Sequence, residues 1–383
     1  MKLLNGILVL DFSQYLSGPS AALRLADLGA RVIKVERPGT GDNSRRLILK
    51  NLVSDGDSVN FQAINRNKES FAADLKDPED LCRVRKLTGR ADVLIENFRP
   101  GVMEKIGLGY EALKQINPGL IYGSITGYGA DGPWTRRPGQ DLLVQSMSGM
   151  TWLNGDQDQP PMPFALSLAD SYAGVHLTEG IMACLLRRAR TGVGGRVQVS
   201  LLESLLDLQF EVLTTYLNDG HKLPERAGYR NAHAYLSAPY GIYDTKDGHI
   251  ALAMGSVPLL GEVLELPQLA GYDTKEQCFK YRDEIKQMIG ERLRQKNTGE
   301  WLSRLEQAGY WASDVYNWEQ LMADPAFSQM DFVLKTKRSG CEPLYTTRCP
   351  IRVNGRTIKP ERPAPRLGED TEAIVREFKL EED

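Results

Sequence analysis

Two aspartates stand where a carboxylate could act as nucleophile or base: Asp141, in PGQDLL, and Asp170, in SLADSYAG. Each opens a stretch of helical pattern. Aspartate is a favoured helix N-cap, so position alone gives capping as the first account of both. Ahead of them runs a glycine-rich segment, Gly123–Pro133 (GSITGYGADGP), which reads either as a ligand loop or as a set of tight turns. Rival catalytic sets are missing. The histidines are His176, His221, His233 and His249, with no HExxH or other ligand spacing, so no metal site is expected. No GxSxG elbow and no GxxxxGK[ST] loop occurs, against serine hydrolases of that type and the common phosphate-hydrolysing class. His176 follows Asp170 at a spacing that does not share a helical face. The cysteines are odd in number, scattered and without a CxxC pair, which disfavours metal fingers and a disulfide framework and fits a reducing cytoplasm.

A second group of residues reads as binding rather than catalysis. The stretch 31–50 holds Arg31, Lys34, Arg37, Arg45, Arg46 and Lys50 against Glu36 and Asp42, a local positive excess of four. Arg37 follows a strand pattern directly, and arginine offers phosphate a planar fork and adenine a flat face. An ordinary solvated charged loop is the competing account. Glu36 sits where a dinucleotide-binding fold keeps its ribose acid, yet the first turn, SQYLSGPSAALRL, lacks GxGxxG. The string GLGYEA at Gly107–Ala112 does not follow a strand and reads as a loop capping the next helix.

The elements that would carry these residues alternate. Strand patterns cover Ile7–Phe12, Arg31–Glu36, Phe71–Leu75, Asp92–Phe98 and Leu120–Ile125, with helical stretches such as Ser20–Leu28 and Tyr110–Ile116 between them. That alternation predicts right-handed crossovers and a mostly parallel sheet, with ligands beyond the strands' carboxyl ends. A helix over Asp170–Arg190 stops at TGVGG, and strand Arg196–Leu201 and a helix to about Leu217 follow. Tyr240–Tyr243 and His249–Met254 flank the turn DTKDG, a hairpin signal. Helical patterns then run from Pro258 to Glu319. This predicts a smaller α+β domain over 224–335, between a 1–220 segment and a 336–383 tail.

The chain has 383 residues, 42% hydrophobic and 25% charged, which fits packed domains. A net charge of -3 argues against attraction to nucleic acid or an anionic membrane. No apolar run is long enough to span a bilayer. The opening MKLLNGILVLDFSQ reads as a buried strand rather than a leader.

These motifs together resemble the family III CoA-transferases, the CaiB/BaiF family that includes formyl-CoA transferases. The resemblance is carried by VLDFSQYLSGPSAALRLADLGARVIKVERPGTGD, NRNKESFAADLK, ADVLIENFRPGVMEKIGLGYEALKQINPGLIYGSITGYGADGP, PGQDLLVQSMSGM, SLADSYAG and APRLGEDTEAIVREF, in that order along nearly the whole chain. It implies an interlocked homodimer whose subunits have a Rossmann-like large domain and an inserted small domain. It implies coenzyme A as substrate, with no permanently bound cofactor. It also implies site residues. Asp170 would be the nucleophile. Arg37, Asp74, Leu75, Lys76 and Lys105 would lie near the nucleotide end. Asn97, Phe98 and Arg99 would contact coenzyme A, Ser17 would sit on the first loop, and Gln140 and Asp141 would precede the catalytic segment.

Two departures narrow the reading. The small-domain stretch ALAMGSVP has only Gly255 where formyl-CoA:oxalate transferases carry a glycine run, so oxalate chemistry is not assigned. Relatives that racemise α-methylacyl-CoA place a histidine where Gln140 stands, and glutamine cannot serve as a base. The expected activity is thus CoA transfer from an acyl-CoA to a carboxylic acid through an aspartyl anhydride and an aspartyl-CoA thioester. The alternative is an α-methylacyl-CoA racemase.

Overall fold

The computed structural model describes residues Lys2–Glu381. Met1, Glu382 and Asp383, at the outer ends of the expected 1–220 and 336–383 segments, lie outside them. The strand–helix alternation forms six strands: β1 (Leu8–Asp11), β2 (Arg31–Glu36), β3 (Glu69–Ala72), β4 (Val93–Glu96), β5 (Ile121–Thr126) and β6 (Gly195–Ser200). They pair in the order β3-β2-β1-β4-β5-β6, all parallel. The chain steps outward from β1 to β3, then returns to β4 and steps outward the other way. A crevice therefore opens at the carboxyl ends of β1 and β4, where the order reverses.

β1 and β4 are buried along their whole length, as parallel strands covered on both faces must be. Leu10, Ile33, Phe71, Leu94 and Tyr122 share one core with Ile374 and Leu380 of the tail. β2 has the expected bounds, whereas β3 ends before Leu75. There the Asp74 N–H donates to the Asp80 carboxylate (2.8 Å) instead of extending the ladder. Helix Thr371–Phe378 closes the β3 edge. Ser70 N–H donates to Asp370 Oδ2 and Ala72 N–H to Thr371 Oγ1, both at 2.9 Å, so that edge offers fewer free donors to another strand.

The chain divides into two compact units. One holds residues 1–144, 167–208 and 330–383, and the other 145–166 and 209–329. The second contains the hairpin Gly241–Asp244 and His249–Leu252, joined by a short strand, Ala312–Asp314, that falls within the stretch expected to be helical. Its core centres on Trp301, Ile285 and Leu260. The expected 224–335 boundaries omit 145–166. That segment clusters with the second unit because the Arg226 guanidinium donates to the carbonyls of Asn154, Gln157 and Gln159, and Asn231 N–H to Asp156. The single helix expected up to Leu217 is two, Leu201–Leu208 and Phe210–Asn218. No helix among the described residues is long and apolar enough to cross a membrane.

Candidate active site

After β1 the chain turns into helix α1, Ser17–Asp27. Two buried lysines hold this turn. Lys34 Nζ donates to the Ser13 carbonyl (2.7 Å) and pairs with Asp42 (2.9 Å). Lys68 Nζ donates to the Pro19 carbonyl (3.0 Å) and to Asn65 Oδ1 (2.9 Å), and pairs with Asp11 (2.8 Å). Burial pushes the Asp11 carboxyl up, but Lys34 and Lys68 outweigh it and hold the group below its ordinary value. Burial pulls the Lys68 ammonium down to about 8. Buried charges of this kind are tolerated only when each has its partner. From the far side of the crevice, Asn97 follows β4. Its amide donates to the Gln14 carbonyl (2.7 Å), accepts the Gln14 N–H (2.8 Å) and reaches Ser17 Oγ (3.3 Å). The loop carrying Ser17 is thereby gripped by both strands of the switch point.

Helix α2, Leu168–Thr191, enters the same crevice. Its N-cap is Ser167, and Asp170 is the third residue of its first turn, so Asp170 is not the cap that its position in sequence suggested. Asp141 does that work instead, accepting the Asp170 N–H at 3.1 Å, where a carboxylate complements the helix dipole. Burial, then the Asp141 charge, push the Asp170 carboxyl up to about 6, while a hydrogen bond from Ser17 pulls it down. Asp170 is therefore mostly ionised at neutral pH yet more basic than an ordinary aspartate.

Gly174 brings Ser17 into range. It lies one turn beyond Asp170 on the same face of α2. A Cβ there would come within 2.1 Å of Ser20 Oγ and 2.9 Å of the Ser17 carbonyl. Only glycine lets α1 and α2 approach so closely.

Asp170 lines a cavity of about 930 Å³ formed wholly within the first unit, together with Ser17, Asn97, Phe98 and Arg99. Gln140 and Asp141 also line it, as do Gly127 and Gly139. A Cβ on Gly127 would fall 2.6 Å from Gly139 Cα, so the loop after β5 is clamped against the PGQD segment rather than loose. Its lining carries four guanidiniums, Arg24, Arg66, Arg99 and Arg137, against the carboxylates of Asp141 and Asp170. Such a balance suits anionic ligands. None of the four histidines lines it. Among the described residues no group of three or more His, Cys, Asp or Glu could hold a metal ion.

The remaining expected contacts fall outside this cavity. Arg37 is exposed just past β2, and Lys105 is exposed in the short helix Val102–Lys105. Asp74 accepts the Lys76 N–H in a turn after β3, Lys76 is exposed, and Leu75 packs on the core. All of them except Lys105 follow strands at the same sheet edge as the cavity. Part of the 31–50 charge is internal, while Arg37, Arg46 and Lys50 are exposed. Arg45 is buried against Glu36 and Asp57 (2.7 Å each), Arg31 pairs with Glu69 (2.9 Å) and Glu377 (2.5 Å), and Lys34 lies under the loop. Glu36 is thus occupied by Arg45 and is no ribose acid. Cavity residues that sequence reasoning passed over are Arg24, Arg66, Arg137 and the tail pair Thr346–Thr347. Of these Arg24 and Arg66 lay within motifs that carry the resemblance, the opening segment and NRNK, though neither was read as a site residue.

A family model described as CoA-transferase family III matches residues 4–371. The chain is 35% identical to a succinate–glutarate CoA-transferase of Agrobacterium fabrum, across 98% of this chain and 95% of that one. It is 32% identical to the human succinyl-CoA:glutarate CoA-transferase, across 98% and 86%. A crystal structure of a CaiB/BaiF family protein from Brucella suis superposes with a TM-score of 0.84 at 32% identity, covering 97% of this chain and 98% of that one.

Proposed function

The chain belongs to CoA-transferase family III, and from that premise we propose that it moves coenzyme A between two carboxylic acids with Asp170 as the covalent carrier. The observation that carries this reading is the Asp170 carboxylate at the switch-point cavity, raised to about 6 by burial and by Asp141 and held by Ser17. A raised value means a stronger nucleophile that still ionises at neutral pH.

One Asp170 oxygen accepts from Ser17 and the other attacks the thioester carbonyl of a bound acyl-CoA. The C–S bond breaks, giving a mixed anhydride and a CoA thiolate. The thiolate attacks the aspartyl carbonyl, releasing the donor acid and leaving an aspartyl-CoA thioester. The acceptor carboxylate attacks that thioester, forming a second anhydride and freeing the thiolate. Attack of the thiolate on the acceptor carbonyl yields the new acyl-CoA and regenerates Asp170. No proton is consumed. The helix N–H after Asp170 is no oxyanion donor, since Ser171 N–H bonds to the Ser167 carbonyl at 3.1 Å. The backbone of the clamped Gly127 and Gly139 segments is the second source, and its donors act by preorganisation.

Phe98 and Arg99 would flank the pantetheine arm, while Asn97 positions the loop. Arg37 and Asp74–Lys76, along the same sheet edge, would meet the nucleotide end, and Lys105 is the further basic group for phosphate. The relatives named for succinate and glutarate point to dicarboxylic acids as the first pair to assay. Succinyl-CoA with glutarate should yield glutaryl-CoA only when both are present. Deuterium uptake at the acyl α-carbon without any acceptor acid would favour the racemase instead. An interlocked homodimer and a cytoplasmic location are part of the same proposal, and light scattering tests the first.

A further inference from the structure

The cavity does not end at Asp170. Its lining continues along α1 to Arg24 and, across from it, to Arg66, with Thr346 and Thr347 from the tail hairpin. Arg24 stands seven residues beyond Ser17 on the same helix, which is about 10 Å at 1.5 Å per residue. Its guanidinium reaches Asp27, three residues further along the same helix.

The charge at this end is unbalanced. Both guanidiniums lean on a single carboxylate oxygen, Asp27 Oδ2, Arg24 at 3.1 Å and Arg66 at 3.0 Å. Asp27 is buried behind them and is not part of the lining. Arg66 is itself 3% exposed, and its Nε–H has no partner in the protein. Arg66 Nη1 also donates to the Ala63 carbonyl (2.7 Å), but two arginines share one aspartate, leaving one positive charge at an otherwise uncharged end of the cavity. A protein that needed only a structural ion pair here would be served by one arginine.

We propose that Arg24 and Arg66 form a subsite for the distal carboxylate of a dicarboxylic substrate whose reacting carboxyl lies at Asp170. This rests on the CoA-transfer reading and names the residues that select the acid. Arginine forks bind carboxylates in two-point fashion, and the roughly 10 Å along α1, less a contact distance of about 3 Å at each end, suits a chain of about four to six carbons. Thr346 and Thr347 add hydroxyls beside the carboxylate. The same subsite serves donor and acceptor, since each occupies it in turn while coenzyme A stays on Asp170.

The test compares glutarate with pentanoate, which has the same carbon count but ends in a methyl group. In wild-type protein kcat/KM should favour glutarate. In Arg24→Gln the glutarate-to-pentanoate ratio should fall about ten- to a hundredfold, as expected for loss of a charged hydrogen bond, and Arg24→Lys should restore part of it. Asp27 keeps Arg66 in Arg24→Gln, so the fold should hold, and the melting temperature checks this. An unchanged ratio in Arg24→Gln overturns the subsite, as does a wild type without preference. Calorimetric binding of glutarate and pentanoate to the unreacted protein reads the subsite without turnover. A protein that transfers no coenzyme A, yet binds glutarate in an Arg24-dependent way, loses the function reading and keeps the subsite. Transfer with no Arg24-dependent selectivity does the reverse.

Discussion

Asp170 is set up by three neighbours that lie far apart in sequence: Ser17, Asp141 and, one turn along α2, Gly174. Its raised carboxyl fixes a pH dependence. The nucleophile must be ionised, so kcat/KM should fall as pH drops through about 6. Asp141→Asn keeps an oxygen for the Asp170 N–H but removes the negative neighbour, so the acid limb should move to lower pH; a limb that stays or rises contradicts the assignment. Stability runs the opposite way. A carboxyl raised above its unfolded value of 3.8 stabilises the fold below that pH, and the contribution is lost as pH rises through about 6. At pH 7 Asp170→Asn should therefore abolish transfer while unfolding no more easily than wild type, with a gain of up to roughly 2 kcal/mol after screening by the open cavity. Thermal melts at pH 5 and pH 7 check it. Sequence alone pointed to Asp170 through its motif but assigned it the capping that Asp141 performs. Capping depends on where the chain enters the helix, and α2 begins at Leu168, two residues earlier than its polar pattern suggested.

At the level of elements, the site depends on how closely α1 and α2 pack and on what lies under the first loop. Gly174→Ala puts a methyl group into Ser20 and the Ser17 backbone, so α1 must shift. Overpacking of this kind costs about 1–3 kcal/mol, and the loss of the Ser17 contact should lower kcat well beyond what the melting temperature explains. Normal kcat in a folded Gly174→Ala protein contradicts the role given to this contact. The strands and their parallel sense were legible because parallel, doubly covered strands are written as β-branched runs between turn signals, whereas their order came only from the fold. The charges were not legible. Lys34, Arg45 and Lys68 look like surface residues in sequence, yet each is buried against carboxylates from other elements. Net local charge counts residues and cannot see pairing across strands, which is why the 31–50 stretch promised more free positive charge than it holds.

Across the molecule, the tail contributes to the first unit at the β3 edge, at the cavity wall through Thr346–Thr347, through Arg338 on Asp57 (2.8 Å), and through Cys349 and Ile358 packed on Leu28. Ending the chain at Pro365 removes the partners of the Ser70 and Ala72 N–H groups and uncovers the apolar surface now facing Ile374 and Leu380. Such a protein should aggregate or melt several degrees lower, read by light scattering and a thermal melt. Sequence pattern placed the tail beside the large domain only through the family resemblance. Segment 145–166 escaped notice because what ties it to residues 226–231 is a set of arginine-to-carbonyl bonds without hydrophobic period. The cavity's far end escaped for the same reason, since Arg24, Arg66 and Thr346 come from three separated stretches that only the fold unites.

The central claim, that coenzyme A travels on Asp170, is tested most directly by trapping. The protein is incubated with succinyl-CoA, treated with hydroxylamine, digested and mapped by mass spectrometry. Conversion of Asp170 alone to its hydroxamate, absent without succinyl-CoA, is the expected result. Active enzyme with Asp170 unmodified, or with the label on another carboxylate, would contradict the account.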